Sequence, residues 1–351
     1  MNTIMMILLF TFGVLFPSAP KAEIVFAGDA MQHQAQIDAA HRSDGSYDYS
    51  ECFTALKPYI SAADYAVVNL ETPIGTGNYT GYPCFNSPAS YVDALADAGF
   101  DLFLTANNHT LDRRDAGLVK TVDALDKRLL AHIGTYRNNA ERDSMLPMIK
   151  NINGFNVSFL NYTYGTNGIT LQGNAVVDYI NIDRIKRDIT LARKNGAEIV
   201  TVCIHWGEEY QLLPTKTQKA IADKLVDAGA DLIIGGHPHV IQPMEMRKNS
   251  AGDNVLLVYS LGNFISNMKT RDTRGGALVK VILERNREGK AQVSEATYSL
   301  VFTLPADGKH NFRVVPASEC NSATWKSACD AFVKAATDIF NKYNKEVNRA
   351  E

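Results

Sequence analysis

The chain has 351 residues, 46% of them hydrophobic, enough to bury one large core or one core with a small appendage. Its 35 basic and 38 acidic residues leave a net charge of −3. The basic residues are scattered rather than clustered, which argues against a nucleic-acid partner.

The chain opens with an uncharged apolar run from Ile4 to Phe16. It is shorter than the roughly 20 residues of a membrane-spanning helix. Small residues (Ser18, Ala19, Ala22) follow it, so a signal peptide over residues 1–22 is expected, with an uncleaved anchor as the alternative. Either reading puts the body of the protein outside the cytoplasm, in the periplasm or at the cell envelope.

A main domain is expected over residues 23–305. "EIVFAGD" reads as a strand ending at Asp29, with His33 shortly after. "YAVVNLE" ends at Asn69 and Glu71. "LADAGFDLFLTANNH" couples a helix-like stretch, a stopping glycine and an apolar strand that ends at Asn107, Asn108 and His109. "MIKNINGFNVSFLNYTY" reads as a hairpin turning at Asn153-Gly154. The helix–glycine–strand pattern returns in "ARKNGAEIVTVCIHW", ending at His205, and in "LVDAGADLIIGGHPH", ending at His237 and His239. "VLLVYSLGN" ends at Asn263, and "ALVKVILERNREGKAQVSEATYSLVFTL" reads as a second hairpin with Gly289 at its turn. After Pro305 the pattern turns polar, and residues 306–351 form a C-terminal extension whose "TWKSACDAFVKAATDIFNKYNK" has apolar residues at helical spacing. Cys52 with Cys84, and Cys320 with Cys329, are candidate disulfides, while Cys203 reads as a buried thiol.

Alternating helices and doubly buried strands imply an α/β layered fold. In such sheets ligands gather at the carboxyl ends of the strands. Taken singly, His205 reads as a core histidine, Asp29 as a helix cap, and Asn69 and Asn107 as partners for strand-end backbone. Six strands aiming such groups at one edge point instead to a shared site. Asp29, Glu71, Asn108, His205, His237 and His239 mix imidazole with oxygen ligands, which suits Zn, Mn or Fe. They are too many for one tetrahedral ion, and two divalent ions would use them. The glycines before His237 are expected to allow a sharp turn. Trp206, Glu209 and Tyr210, just past a ligand, are expected to line a substrate cleft.

The ordered motifs "GDAM", "VNLETP", "TANNHTLD", "IHWGEEY", "GGHPHVIQPME" and "YSLGNFISN" closely resemble the capsule-biosynthesis proteins of the poly-γ-glutamate synthesis (CapA-type) family, from about Glu23 to Leu304. That family is similar to the calcineurin-like metallophosphoesterases. The resemblance implies a four-layer α/β/β/α sandwich, extended here by a short C-terminal helix, around a two-metal site. It implies that Asp29, Glu71, Asn108, His205, His237 and His239 are metal ligands, with Glu71 in the bridging place. His237 and His239 would serve the two metals separately, and His109 would assist the transition state. The sequence departs from the phosphoesterase pattern at Met31, where Asp-x-His is expected, and His33 is the candidate substitute. The implied function is a metal-dependent hydrolase or transferase acting on an envelope polymer or a small anionic substrate, alongside other capsule-synthesis proteins. The alternative is a non-catalytic polymer-binding or export component on the same fold.

Overall fold

The apolar runs form strands because each can bury both of its faces. In β1 (Lys21–Ala30), Ile24 and Phe26 face one apolar cluster and Val25 and Ala27 another.

The structure is a computed structural model that describes residues 20–350. After β1 come α1 (Gln34–Ala40), α2 (Lys57–Ile60), β2 (Tyr65–Leu70), α3 (Ser90–Asp97), β3 (Leu102–Leu104), α4 (Arg114–Asp126) and β4 (Ala131–Ile133). There follow β5 (Thr135–Tyr136), α5 (Asn139–Met145), β6 (Met148–Ile152), β7 (Phe155–Thr163), β8 (Val176–Val177), α6 (Ile182–Lys194) and β9 (Ile199–His205). Next are α7 (Lys216–Asp227), β10 (Leu232–Gly236), β11 (Ile241–Lys248), β12 (Asn254–Leu261) and β13 (Asn263–Ile265). The last elements are β14 (Gly275–Arg285), β15 (Ala291–Leu304), β16 (Arg313–Pro316), α8 (Lys326–Tyr343) and β17 (Asn348–Arg349).

One sheet has the order β16-β15-β14-β1-β2-β3-β4, with β13 beside β1 and β17 beside β15. The other has the order β11-β12-β10-β9-β7-β6. Strands β1 to β4 are parallel, as are β7, β9, β10 and β12. The two hairpins, β6–β7 and β14–β15, turn at the positions read from the sequence. Gly229, at φ 96°, closes α7 in the left-handed conformation expected of a helix stop.

Ile24 and Phe26 of the first sheet meet Cys203, Leu232 and Ile234 of the second in a core between the sheets. Val25 and Ala27 face α3 through Tyr91, Val92 and Leu95. On the far side, Val200, Val202 and Ile204 pack on Ile189 of α6 and Leu225 of α7. The layers are therefore helix, sheet, sheet, helix, as expected.

The segment after residue 305 is woven into this body. Strands β16 and β17 both pair with β15, and Phe340 and Phe332 of α8 pack on Tyr298 and Phe302 of that strand. Among the described residues no helix is long and apolar enough to cross a membrane.

Residues 1–19 of the expected signal peptide lie outside the described residues. Lys21 and Ala22, at the end of that expected segment, pair with Glu284 and Leu283, and Ala22 is buried. All five cysteines are free thiols. The expected Cys52–Cys84 link is absent: Cys52 lies in the cluster under α3, whereas Cys84 is exposed on another loop. Cys320 and Cys329 are buried in the same core and touch as two unbonded thiols.

Candidate metal centre

Five parallel strands, three from the first sheet and two from the second, bring their carboxyl ends together. Register does much of this: Asp29 stands opposite Asn69 of β2 and Asn263 of β13, and Gly236 opposite His205.

Asp29 is the hub. Its Oδ1 accepts a hydrogen bond from Asn69 Nδ2 at 2.8 Å, and its Oδ2 accepts one from the backbone N–H of His237 at 3.2 Å. His239 Nδ1 lies 3.4 Å from Oδ2, and His205 Nδ1 lies 4.0 Å from Oδ1. Glu71 Oε1 is 3.6 Å from His205 Nε2 and 3.9 Å from His239 Nε2. Asn108 Oδ1 is 2.9 Å from His205 Nε2, and Asn263 Oδ1 is 3.0 Å from His239 Nδ1. Two sets of ligand atoms converge, each with its members within 4.8 Å of one another: Asp29, Glu71 and His205, and separately Glu209, His237 and His239.

Burial controls the protons here. It raises the Asp29 carboxyl, but His239, His205 and Asn69 outweigh it and hold the group down at about 2. Burial lowers the His205 imidazole to about 3, and burial with the His205 and His239 neighbours lowers His237 to about 2. His239 goes the other way, up to about 9, because Glu71 and Asp29 outweigh its burial. Glu71 is pushed well above the usual carboxylate range by burial and by Asp29 beside it. Burial, with Glu209 next, also pushes the phenols of Tyr164 and Tyr210 up to about 12.

Both carboxylate oxygens of Glu71 and the Nδ1 of His237 are buried with no hydrogen-bond partner. Such orphaned groups are costly in an ordinary interior, and neutral imidazole beside carboxylate is the donor set of a transition-metal site. The residues fit a divalent-cation centre. Asn263 would hold His239 in one tautomer, with Nε2 left for a ligand bond.

The turn between His237 and His239 works differently from the sequence reading. Gly235 and Gly236 lie in extended backbone, and the left-handed positions are the histidines themselves, at φ 98° and 56°. The glycines are needed for space. A Cβ on Gly235 would come within 2.1 Å of the Tyr259 carbonyl, and one on Gly236 within 2.8 Å of Asp29 Oδ1.

All six expected ligands meet at this centre. His109 is adjacent, its Nδ1 bonded to the buried Asp112 at 2.8 Å and its ring packed edge-on to Phe85 at 4.5 Å. Asn69 steadies Asp29. Asn107 donates to the Leu70 carbonyl and accepts from the N–H of His109. Two expectations fail. His33 joins neither ligand set; it caps α1, and its Nδ1 accepts from the N–H of Asn267. Trp206 does not line the cleft: it is buried under the second sheet, with Nε1 bonded to the Tyr259 carbonyl. Three further residues emerge from the structure: Asp112, Asn167, which accepts from Asn108, and Tyr164, whose ring sits 4.5 Å from His237. Only Asp112 carried a sequence signal, three residues after His109 in "HTLD".

A paired-sheet sandwich with histidines and carboxylates gathered at its strand ends is a fold of metallophosphoesterase type with a candidate metal centre. The family profile described as bacterial capsule synthesis protein PGA_cap matches residues 23–268, and the chain belongs to that family. It is 30% identical over 277 residues to the capsule biosynthesis protein CapA of Bacillus anthracis, covering 76% of this chain and 65% of that protein. It is 29% identical over 276 residues to the PGA biosynthesis protein CapA of Bacillus subtilis, covering 77% and 70%. The chain thus spans just under two thirds of the length of the first of these relatives. Among solved structures, the NAD nucleotidase of Haemophilus influenzae superposes with a TM-score of 0.51 at 11% identity, over 95% of this chain and 65% of that one, a likeness of fold.

Proposed function

We propose that this chain is an exported, metal-dependent hydrolase of the cell envelope, acting on an amide or phosphoester bond in a capsule-type polymer such as poly-γ-glutamate or in a small anionic substrate. One observation carries the reading: Glu71 is a fully buried carboxylate with no hydrogen bond, flanked by His205 and His239. A carboxylate left in that state is stabilised by a cation.

Asp29, Glu71, Asn108, His205, His237 and His239 would hold two divalent ions, Mn, Fe or Zn. The ions would lower the pKa of a water and polarise the bond to be broken. Asp112 accepts a hydrogen bond from Nδ1–H of His109 and orients the ring, so that a second proton, carried on Nε2, would pass to the leaving group. Tyr164 and Tyr210, both exposed beside the histidines, would contact the substrate. The apolar N-terminal run supports export, and β1 pairing from Lys21 supports a mature chain that begins at or before that residue. The residue after that strand supplies one observation for the second reading, a polymer-binding component, because Met31 offers no hard ligand there.

The test is metal analysis of protein purified without chelators, followed by turnover assays on an aryl phosphate and a γ-linked glutamyl oligomer. Bound metal, with turnover lost in His109→Ala while the metal stays, is expected. Absence of metal after reconstitution with Mn, Fe and Zn would favour the polymer-binding reading.

A further inference from the structure

Glu209, the carboxylate grouped with His237 and His239, comes from a loop rather than a strand end. Its placement is set by the backbone. The N–H of Tyr210 donates to the carbonyl of Pro238 at 2.8 Å, and Pro238 is the residue between the two histidines. One residue past β9, the N–H of Trp206 donates to the Gly236 carbonyl at 3.1 Å. Tyr210, His237 and His239 all hold left-handed backbone, at φ 66°, 98° and 56°. Non-glycine residues adopt that conformation at a cost, and it persists where the surroundings enforce it. The result is a Glu209 carboxylate oxygen within 4.8 Å of a ring nitrogen of His237 and of His239. His237 is buried and still has an unpartnered Nδ1.

The two ligand sets are unequal. Asp29, Glu71 and His205 are buried at strand ends and bring two carboxylates. The other set has one carboxylate, on a surface loop beside the exposed Tyr210. Cation affinity rises with the number of charged ligands and with their rigidity.

We propose that Glu209 is a direct ligand, with His237 and His239, of an outer cation site that binds more weakly than the inner site at Asp29, Glu71 and His205. This rests on the metal-centre reading above. It makes the centre fill in order, the inner ion first, so the outer ion comes and goes with metal supply while the inner one stays.

The experiment is Mn(II) titration of the chelator-stripped protein by calorimetry, with electron paramagnetic resonance of the bound ions. Wild type is expected to bind two ions in two steps. In Glu209→Gln the weaker step should lose affinity by about tenfold or more, with the tighter step unchanged, as for loss of one charged ligand. The spin-coupled signal of an ion pair should give way to that of a single ion. Glu208→Gln, the neighbouring control, should match wild type. Two unchanged steps in Glu209→Gln would overturn the assignment and leave the two-ion centre intact. A single ion in wild type would overturn the outer site alone. No ion in wild type would overturn the centre as a whole.

Discussion

Glu71 and His239 make the metal-free centre a source of pH dependence. His239 keeps its proton from its ordinary 6.5 up to about 9 in the folded protein, because Glu71 and Asp29 face it. Across that window the folded state binds more protons than the unfolded chain, so stability falls as pH rises. A chelated sample melted at pH 6.5 and at pH 9 should be less stable at the higher pH, by at most about 1.4 kcal/mol per pH unit for one proton. In Glu71→Gln the first of the three carboxylates acting on His239, ahead of Asp29 and Glu209, is gone, and the slope should flatten. An equally steep slope in that variant would show that another group titrates. The same substitution should also weaken metal binding, since it removes the buried carboxylate between the two histidines.

At the scale of elements, the strand ends were legible and the loops were not. Asp29, Glu71, Asn108, His205, His237 and His239 each close an apolar run, and an apolar run that stops at a polar group marks a strand meeting a site. Glu209 follows no such rule, since its position depends on a backbone bond to Pro238 that no spacing encodes. Trp206 was misplaced because the chain alternates faces: His205 points to the centre, so the next side chain turns back under the sheet. The Gly235–Gly236 pair was legible as special but for the wrong reason, space rather than turning. Gly235→Ala should therefore lower stability by roughly 1–3 kcal/mol, the usual penalty of overpacking, because backbone cannot yield as a side-chain tip can. Thermal melts check this, and an unchanged melting temperature would contradict the close approach to Tyr259. The Cys320–Cys329 contact leads to a further expectation, that the two thiols lose two electrons and two protons to a thiol oxidant and form a disulfide in an oxidising compartment. Closing so short a loop should add roughly 2–3 kcal/mol. Dithiothreitol should then lower the melting temperature of protein treated with such an oxidant, and Cys329→Ser should abolish that sensitivity. Five titratable thiols after that treatment would reject the bond.

For the molecule as a whole, the centre joins the two sheets. Asp29, Glu71 and Asn108 come from the first sheet, and His205, His237 and His239 from the second. An ion bound among them stabilises the sandwich as a unit, by about 2.7 kcal/mol when free metal is a hundredfold above Kd. Chelation should lower the melting temperature while unfolding stays a single cooperative transition, followed by calorimetry. A melt that splits in two would show that the sheets unfold separately and that the centre does not link them.

The ligands are also far apart in the chain, from Asp29 to His239, with no two neighbouring strand ends closer than a helix and a loop. An extended chain has nowhere to gather a cation. A cation would therefore be gathered only once the strands have docked, and from whatever ions surround the protein then. Two samples of this sequence matured in different ionic surroundings would carry different metals with the same fold, and the assay history of a preparation would begin with the water in which it folded.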